Sequence, residues 1–532
     1  MQMKTLQGLE KLFKTGAISR REFIARASAL GFSVALSPML FGGTSRAATP
    51  KKGGQLKIGA SGCSTTDNLD PAIIDTFFLQ LMQQGQLRNN LVEIDHEGKA
   101  IPELAESWDA SPDAKVWTFK LRKGVEFHNG KTMGADDVIF SFNYHRGEKS
   151  KSPAKTVLKE VKEIRKDGQY TVVFKLENGN ADFPFAVSDY HLLIVPDGTN
   201  DFSDGMGTGP YMLTSFNSGV KAVTKRNPNY WKTGRAHFDE VQTICVGDAI
   251  SRVNALVTGQ VDFVDKIDLK AADLLAKKPG IKVSEVTGPM HYTFPMLTDT
   301  PPYNNNDVRL ALKHAFDREQ MLKLILRGHG SVGNDTPISR VYRYFDPELP
   351  QHKYDPEKAK YYIKKSGIGS HTFNLHVPPN AVAAGAVEAA LLLRESALKA
   401  GINVDVIRVA DDGYWKEVWM KKGWCACYWT GRPTEDQIFT TAYSAGSSWN
   451  DTHWKNERFN KLLVEARSEL DDSKRRQMYG EMQRIVHDEG GQIVHLFQNW
   501  VFASKDTLKH GPLAGNTDCD GMKFPERWWF DS

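Results

Sequence analysis

The chain has 532 residues, 40% of them hydrophobic and 25% charged, with glycine and proline scattered throughout. This is globular composition, long enough for two or more lobes with cores of their own. The net charge is +4, but residues 1–47 hold seven Lys and Arg against only Glu10 and Glu22. The remainder is therefore close to neutral and gives no electrostatic case for nucleic acid.

In chain order, the first element is an export signal. A charged stretch leads into a mildly apolar run from Ala27 to Leu40, and Ser45-Arg46-Ala47 offers the small residues of a cleavage site after Ala47. The run is too short and too rich in Gly and Ser to span a bilayer. Ser19-Arg20-Arg21-Glu22-Phe23-Ile24 is similar to the twin-arginine signal, which places the mature protein in the periplasm. Export permits disulfides, yet the cysteines are only Cys63, Cys245, Cys425, Cys427 and Cys519. That is no disulfide scaffold; one or two pairs at most are bridged, and spacing does not say which. Cys425 and Cys427 would share one face of a strand, where packing is the expected role.

Trp117–Leu121 and Tyr170–Phe174 have the β-branched and aromatic content of strands, and His128-Asn129-Gly130 reads as a turn. Gly205-Met206-Gly207-Thr208-Gly209-Pro210 fails both nucleotide-binding patterns and reads as a structural turn. Asn306-Asp307 begins a helix with Val308, Ala311, Leu312, Ala315 and Phe316 on one face. Asp355-Pro356-Glu357 reads as another helix start, with Asp355 as cap. Phe459, Leu462, Leu463 and Ala466 repeat the helical spacing. Met478, Met482, Ile485 and Val486 do so again after Asp471-Asp472-Ser473, and Gln492–Phe497 returns to strand character. The chain is mixed α/β.

Motifs for chemistry are missing. There is no H-E-x-x-H and no G-x-S-x-G; the nearest match, Ala442–Gly446, lacks the first glycine. The fifteen histidines are scattered. No catalytic residue, metal ligand or cofactor is identified. One local feature stands out: Tyr414, Trp415, Trp419, Trp424, Tyr428 and Trp429 are crowded together, with Trp449 and Trp454 soon after. About half of these rings are expected in the core. The others suit a cleft in which rings stack on a ligand and their N–H or O–H groups orient it.

Four blocks carry a family resemblance. They are Ile101–Trp108 with Trp117–Gly130 and Ala135–Phe142; Gly207–Tyr211 with Arg226–Trp231; Asp307–Leu312 with Ala315–Arg318; and Tyr354–Lys360. In this order they resemble the large extracytoplasmic solute-binding proteins of ATP-binding-cassette importers for peptides, nickel complexes and opines. The resemblance implies a two-lobed periplasmic-binding-protein fold with hinge strands. Lobe I would comprise 48–295 and 499–532 and carry an extra subdomain; lobe II would comprise 296–498. Hinge crossings fall near His291–Asp299 and Ile493–Ala503. It also implies a non-catalytic monomer that closes on a small-molecule ligand and docks on ABC permease subunits in the inner membrane.

Departures from the family pattern bear on the ligand. Dipeptide-binding relatives have a similar Trp-Thr-Gly followed by an aspartate for the ligand's ammonium; here Trp429-Thr430-Gly431 is followed by Arg432. Their arginine for the peptide carboxylate should fall near Val377–Ala384, a stretch without charge. The expected ligand is therefore small, polar and anionic, an opine-like amino acid–sugar conjugate or modified peptide. Arg432 would hold the anion and Trp415, Trp419 and Trp429 would stack on the ligand. Internal neutralisation of Arg432 by Glu435 or Asp436 is the alternative reading. Ordinary peptides, then a nickel chelate, are the alternative ligands; a periplasmic hydrolase and a holdase chaperone are the rival classes.

Overall fold

Two long antiparallel strands, Ile281–Pro295 and Gln492–Lys505, run through the molecule and pair along nearly their whole length. The computed structural model describes residues 50–148 and 150–531; the export signal and its cleavage point lie outside the described residues. The ladder of the two strands breaks once in a way that matters. Thr287 pairs with Asn499 and His291 with Phe497, so three residues face Gln498 alone. The break holds Gly288 and Pro289. Proline has no N–H to give the ladder, and a Cβ on Gly288 would lie 2.6 Å from the Trp500 indole nitrogen.

On one side of this bulge the sheet continues through Phe263–Val264, Gln55–Ala60, Glu240–Cys245, Lys221–Arg226 and Tyr211–Asn217. Leu56, Ile58, Phe263, Phe502 and Trp528 form the core of this lobe. On the other side, His291–Thr293 pair with the short strand Cys427–Trp429, and Gly330–Val332 joins the second long strand. This second lobe has two cores. One gathers around Phe294, Phe316, Leu375 and Trp424; the other around Trp429, Phe439, Phe459 and Tyr479. The first lobe carries a subdomain with a separate four-stranded antiparallel sheet, built from Ala105–Ala110, Val116–Leu121, Thr171–Leu176 and Val161–Lys166. Its core contains Trp117, Phe119 and Phe127.

Local signals explain the helices. Asn305 caps Asn306–His314, one residue before the start read from the sequence, by accepting from the Asp307 N–H. Asp355 caps Pro356–Lys365, with proline in the first turn where its missing N–H costs nothing. Asp471 caps Asp472–Glu489 in the same way. The segment 205–210 is a close-packed turn. A Cβ on Gly207 would lie 2.2 Å from the Leu87 carbonyl oxygen, and one on Gly209 2.4 Å from that of Gln86. Cys63 and Cys245 form a disulfide; Cys425, Cys427 and Cys519 are free and buried. Among the described residues no helix is long and apolar enough to cross a membrane.

Candidate functional site

The site is built outward from the strand Cys427–Trp429. Side chains alternate along a strand, so Cys427 and Trp429 enter one core of the second lobe while Tyr428 packs against the other. The chain then turns at Gly431, whose φ is 87° and whose missing Cβ would lie 2.4 Å from Pro289 at the bulge. Glycine is required here twice over, for backbone sign and for close approach. Thr434 next caps the helix Glu435–Ala442 by accepting from the Gln437 N–H.

This turn puts Arg432 into a narrow cleft. Asp182 and Phe185 of the subdomain line one side; Tyr342, Arg343 and Glu435 of the second lobe line the other, and Pro289 of the strand bulge completes the lining. The guanidinium sits 5.5 Å from the centre of the Trp429 ring. Its Nη1 donates to the Gly431 carbonyl at 2.7 Å, and the Arg432 backbone N–H donates to the Tyr342 hydroxyl at 3.1 Å. Burial draws its pKa down, opposed by Tyr342 and Tyr190. Among the described residues no carboxylate forms an ion pair with it.

The two acids considered as internal partners are otherwise engaged. Glu435 accepts from the Tyr344 N–H at 2.5 Å, and burial pushes its carboxyl up to about 7. Asp436 pairs with Arg467, with N–O distances of 3.0–3.2 Å. Both acids are thus held by other partners, and neither forms an ion pair with Arg432.

The aromatic residues form a connected array. Trp429 is buried at 5% exposure, whereas Trp415 and Trp449 are 41% and 49% exposed. Trp415 meets Trp419 edge-on at 5.6 Å; Trp449 meets Trp419 at 6.3 Å and Trp429 at 6.0 Å. One expectation from the sequence is corrected. The indole N–H groups of Trp419 and Trp429 do not point to a ligand; both donate to Oδ2 of buried Asp451, at 3.3 and 3.4 Å. Gln492 holds the other oxygen at 2.6 Å. These rings offer faces and edges only. Of the four residues selected from sequence, Arg432 lines the narrow cleft, Trp429 lies beneath it, and Trp419 and Trp415 extend the array outward. Trp424, Tyr414 and Trp454 are core. Sequence spacing missed Tyr342, Asp182 and Asp451, which come from remote segments.

The cleft is narrow because the subdomain touches the second lobe directly. Asp182 receives two hydrogen bonds of 2.7 Å from Arg475, and the Ala181 N–H donates to the Arg467 carbonyl at 2.7 Å. Elsewhere Glu93, Glu103 and Glu526 cluster, but Lys232, Lys523 and Arg527 neutralise them, which makes a buried ionic network rather than a metal centre.

The family model described as bacterial extracellular solute-binding proteins, family 5, matches residues 99–451. Di/tripeptide-binding protein 2 of Pseudomonas aeruginosa is 28% identical, over 73% of this chain and 79% of the relative. Heme-binding protein A of Haemophilus influenzae is 27% identical, over 77% and 81%. Among solved structures, HbpA2 from Haemophilus parasuis superposes with a TM-score of 0.78 at 23% identity, covering 88% of this chain and 99% of that one. The binding protein AgaA from A. tumefaciens, in complex with agropinic acid, gives 0.69 at 23%, covering 90% and 99%. These are two-lobed periplasmic binding proteins, as the bulged strand pair here already indicates. The chain belongs to family 5 of the bacterial extracellular solute-binding proteins, the ligand-capturing components of ABC importers.

Proposed function

We propose that the protein captures a small polar anion between its lobes, an opine-like amino acid–sugar conjugate or modified peptide, and delivers it to an ABC permease without chemical change. One observation supports this reading above the rest: Arg432 is a half-buried guanidinium in the interlobe cleft, and no carboxylate among the described residues pairs with it. A ligand carboxylate there would gain a charge-assisted, bidentate pair. The array of Trp415, Trp419 and Trp429 would pack on the rest of the ligand. On this reading lobe I is 48–295 and 499–532, lobe II is 296–498, and closure turns on the Gly288-Pro289 bulge.

Calorimetry on folded variants tests the anchor, with opine-like conjugates, di- and tripeptides and heme as the ligand panel. Arg432→Ala should cost about 2–5 kcal/mol of binding to the conjugate that wild type prefers, because the ligand charge stays buried and unpaired. Arg432→Lys should recover part, since an ammonium lacks the planar fork. Wild-type affinity in Arg432→Ala would remove the anion reading. Ordinary peptides, the second reading, are favoured by the di/tripeptide-binding relative, and would then take its place.

Export by the twin-arginine route is part of the proposal, resting on Arg20 and Arg21 before the apolar run. Replacing both with lysine should leave uncleaved precursor in the cytoplasm. Normal periplasmic accumulation of that variant would refute the route.

A further inference from the structure

We propose that buried Asp451 is a positioning residue for ligand capture: its ionised carboxylate fixes the two inner rings of the tryptophan array, so affinity falls when the carboxyl is protonated. The inference rests on the reading that the array receives the ligand. Asp451 is 1% exposed and lies between the helices Glu435–Ala442 and Glu457–Ser468. Three N–H groups from separate segments converge on it. The indoles of Trp419 and Trp429 donate to Oδ2 at 3.3 and 3.4 Å, and the Gln492 amide donates to Oδ1 at 2.6 Å. Gln492 opens the long strand Gln492–Lys505, and its side-chain oxygen accepts from the Tyr443 hydroxyl. That bond fixes which end of the amide faces Asp451.

The array is layered on this carboxylate. Exposed Trp449 packs on both inner rings, at 6.3 Å from Trp419 and 6.0 Å from Trp429, and exposed Trp415 packs on Trp419 at 5.6 Å. Trp429 also carries the Arg432 guanidinium over its face. One carboxylate oxygen therefore ties together the rings on which the outer tryptophans and the anion anchor rest.

Charge state matters because all three partners are donors. A carboxylate accepts from all of them. A protonated acid has an O–H that needs an acceptor, and Gln492 can offer its oxygen only by releasing Tyr443. Among the described residues no Lys or Arg pairs with Asp451. Burial pushes its pKa up to about 6, against the bonds from Gln492, Trp419, Trp429 and Cys427. The other titratable groups facing it are Cys425, Cys427 and Tyr443. Burial, helped by the Asp451 charge, pushes Cys425 up to about 12 and the other two well above their ordinary ranges, so all three stay neutral. His453, two residues on, lies 2.9 Å from Asp299 at the surface. Above about pH 6 the carboxylate holds the rings; below it they are released.

The test follows the indole N–H signals of ligand-free mature protein labelled with ¹⁵N-tryptophan, with Trp419→Phe and Trp429→Phe supplying the assignments. In the wild type both signals should shift together with a midpoint near pH 6. In Asp451→Asn they should hold still from pH 5 to 7.5. Calorimetry then uses fructosyl-glutamate as the amino acid–sugar probe and dialanine as the peptide probe. The probe that wild type binds should bind about five-fold more weakly at pH 5 than at pH 7.5. Asp451→Asn sets an amide N–H group against one of its donors, and should bind that probe about five- to ten-fold more weakly than wild type at pH 7.5, without the further fall at pH 5. Glu435 also titrates near this range, and the comparison with Asp451→Asn removes its contribution. Wild-type indole signals that stay constant overturn the proposal, as does a fall in affinity that Asp451→Asn retains. Failure to bind either probe counts against the proposed ligand class instead, and the indole signals still decide the role of Asp451.

Discussion

Glu435 follows Arg432 by three residues, yet the helix start turns it into the interior, where it is 3% exposed. Burial raises its pKa to about 7, Asp182 adds to the shift, and the Tyr344 N–H and Arg475 oppose it. The folded state thus binds a proton that the unfolded chain releases at its ordinary pKa of about 4.5. Stability from this group is present at low pH and falls as pH rises between about 4.5 and 7. Above that window the buried charge costs roughly 3 kcal/mol. Glu435→Gln keeps an oxygen for the Tyr344 N–H but cannot ionise. It should be more stable than wild type at pH 8 and no more stable at pH 5, as read by urea unfolding at both. A variant with the same difference from wild type at both pH values would show that Glu435 does not titrate in this window. The same residue shows what a sequence leaves open. Glu435 stands near Arg432 in the chain, and only the helix geometry decides that the two do not pair.

At the scale of elements, the legible parts were those whose signals are local. Asp355-Pro356 and Asp471 announce helices because a cap satisfies backbone N–H groups a few residues away. Phe459, Leu462, Leu463 and Ala466 all prove buried, as their helical spacing requires. The strand Val116–Leu121 was legible from its β-branched and aromatic content. The two long strands were harder. Gly-Pro pairs ordinarily interrupt strands, but a bulge between two ladders accommodates Gly288-Pro289, so one strand extends from Ile281 to Pro295. Contacts between distant segments were not legible at all. Cys63 and Cys245 are 182 residues apart and meet because Cys63 follows the strand Gln55–Ala60, whose parallel neighbour ends at Cys245. Asp451 takes the N–H groups of both Trp419 and Trp429, so the tryptophan cluster was visible in sequence but the direction of its polar edges was not. Arg432 was visible as a departure from a family pattern; that no carboxylate among the described residues pairs with it required the fold.

At the scale of the whole molecule, the contacts between subdomain and second lobe bear directly on closure. Asp182 and Arg475 are both buried and share two hydrogen bonds. Arg475 is also held by the Ala466 carbonyl and lies over Tyr344 and Tyr479. Arg343 rests on Phe185 across the same boundary. Opening the lobes at the bulge would separate these groups and rehydrate both charges. The pair therefore weighs attraction in the closed form against hydration in the open one, and its net worth is set by geometry. Asp182→Asn removes one charge and leaves Arg475 buried without its partner only when the lobes are closed, which favours the open form. Apparent affinity falls with the fraction of closed, binding-competent protein. Asp182→Asn should thus be more expanded than wild type in ligand-free small-angle scattering and bind about 10- to 100-fold more weakly. Each lobe keeps its own core, so thermal unfolding should change little. Adding Arg475→Met, which can still pack on Tyr344 and Tyr479, removes the stranded charge and should restore part of the affinity. A single variant with wild-type scattering and wild-type affinity would show that the pair fills the interface without holding it closed.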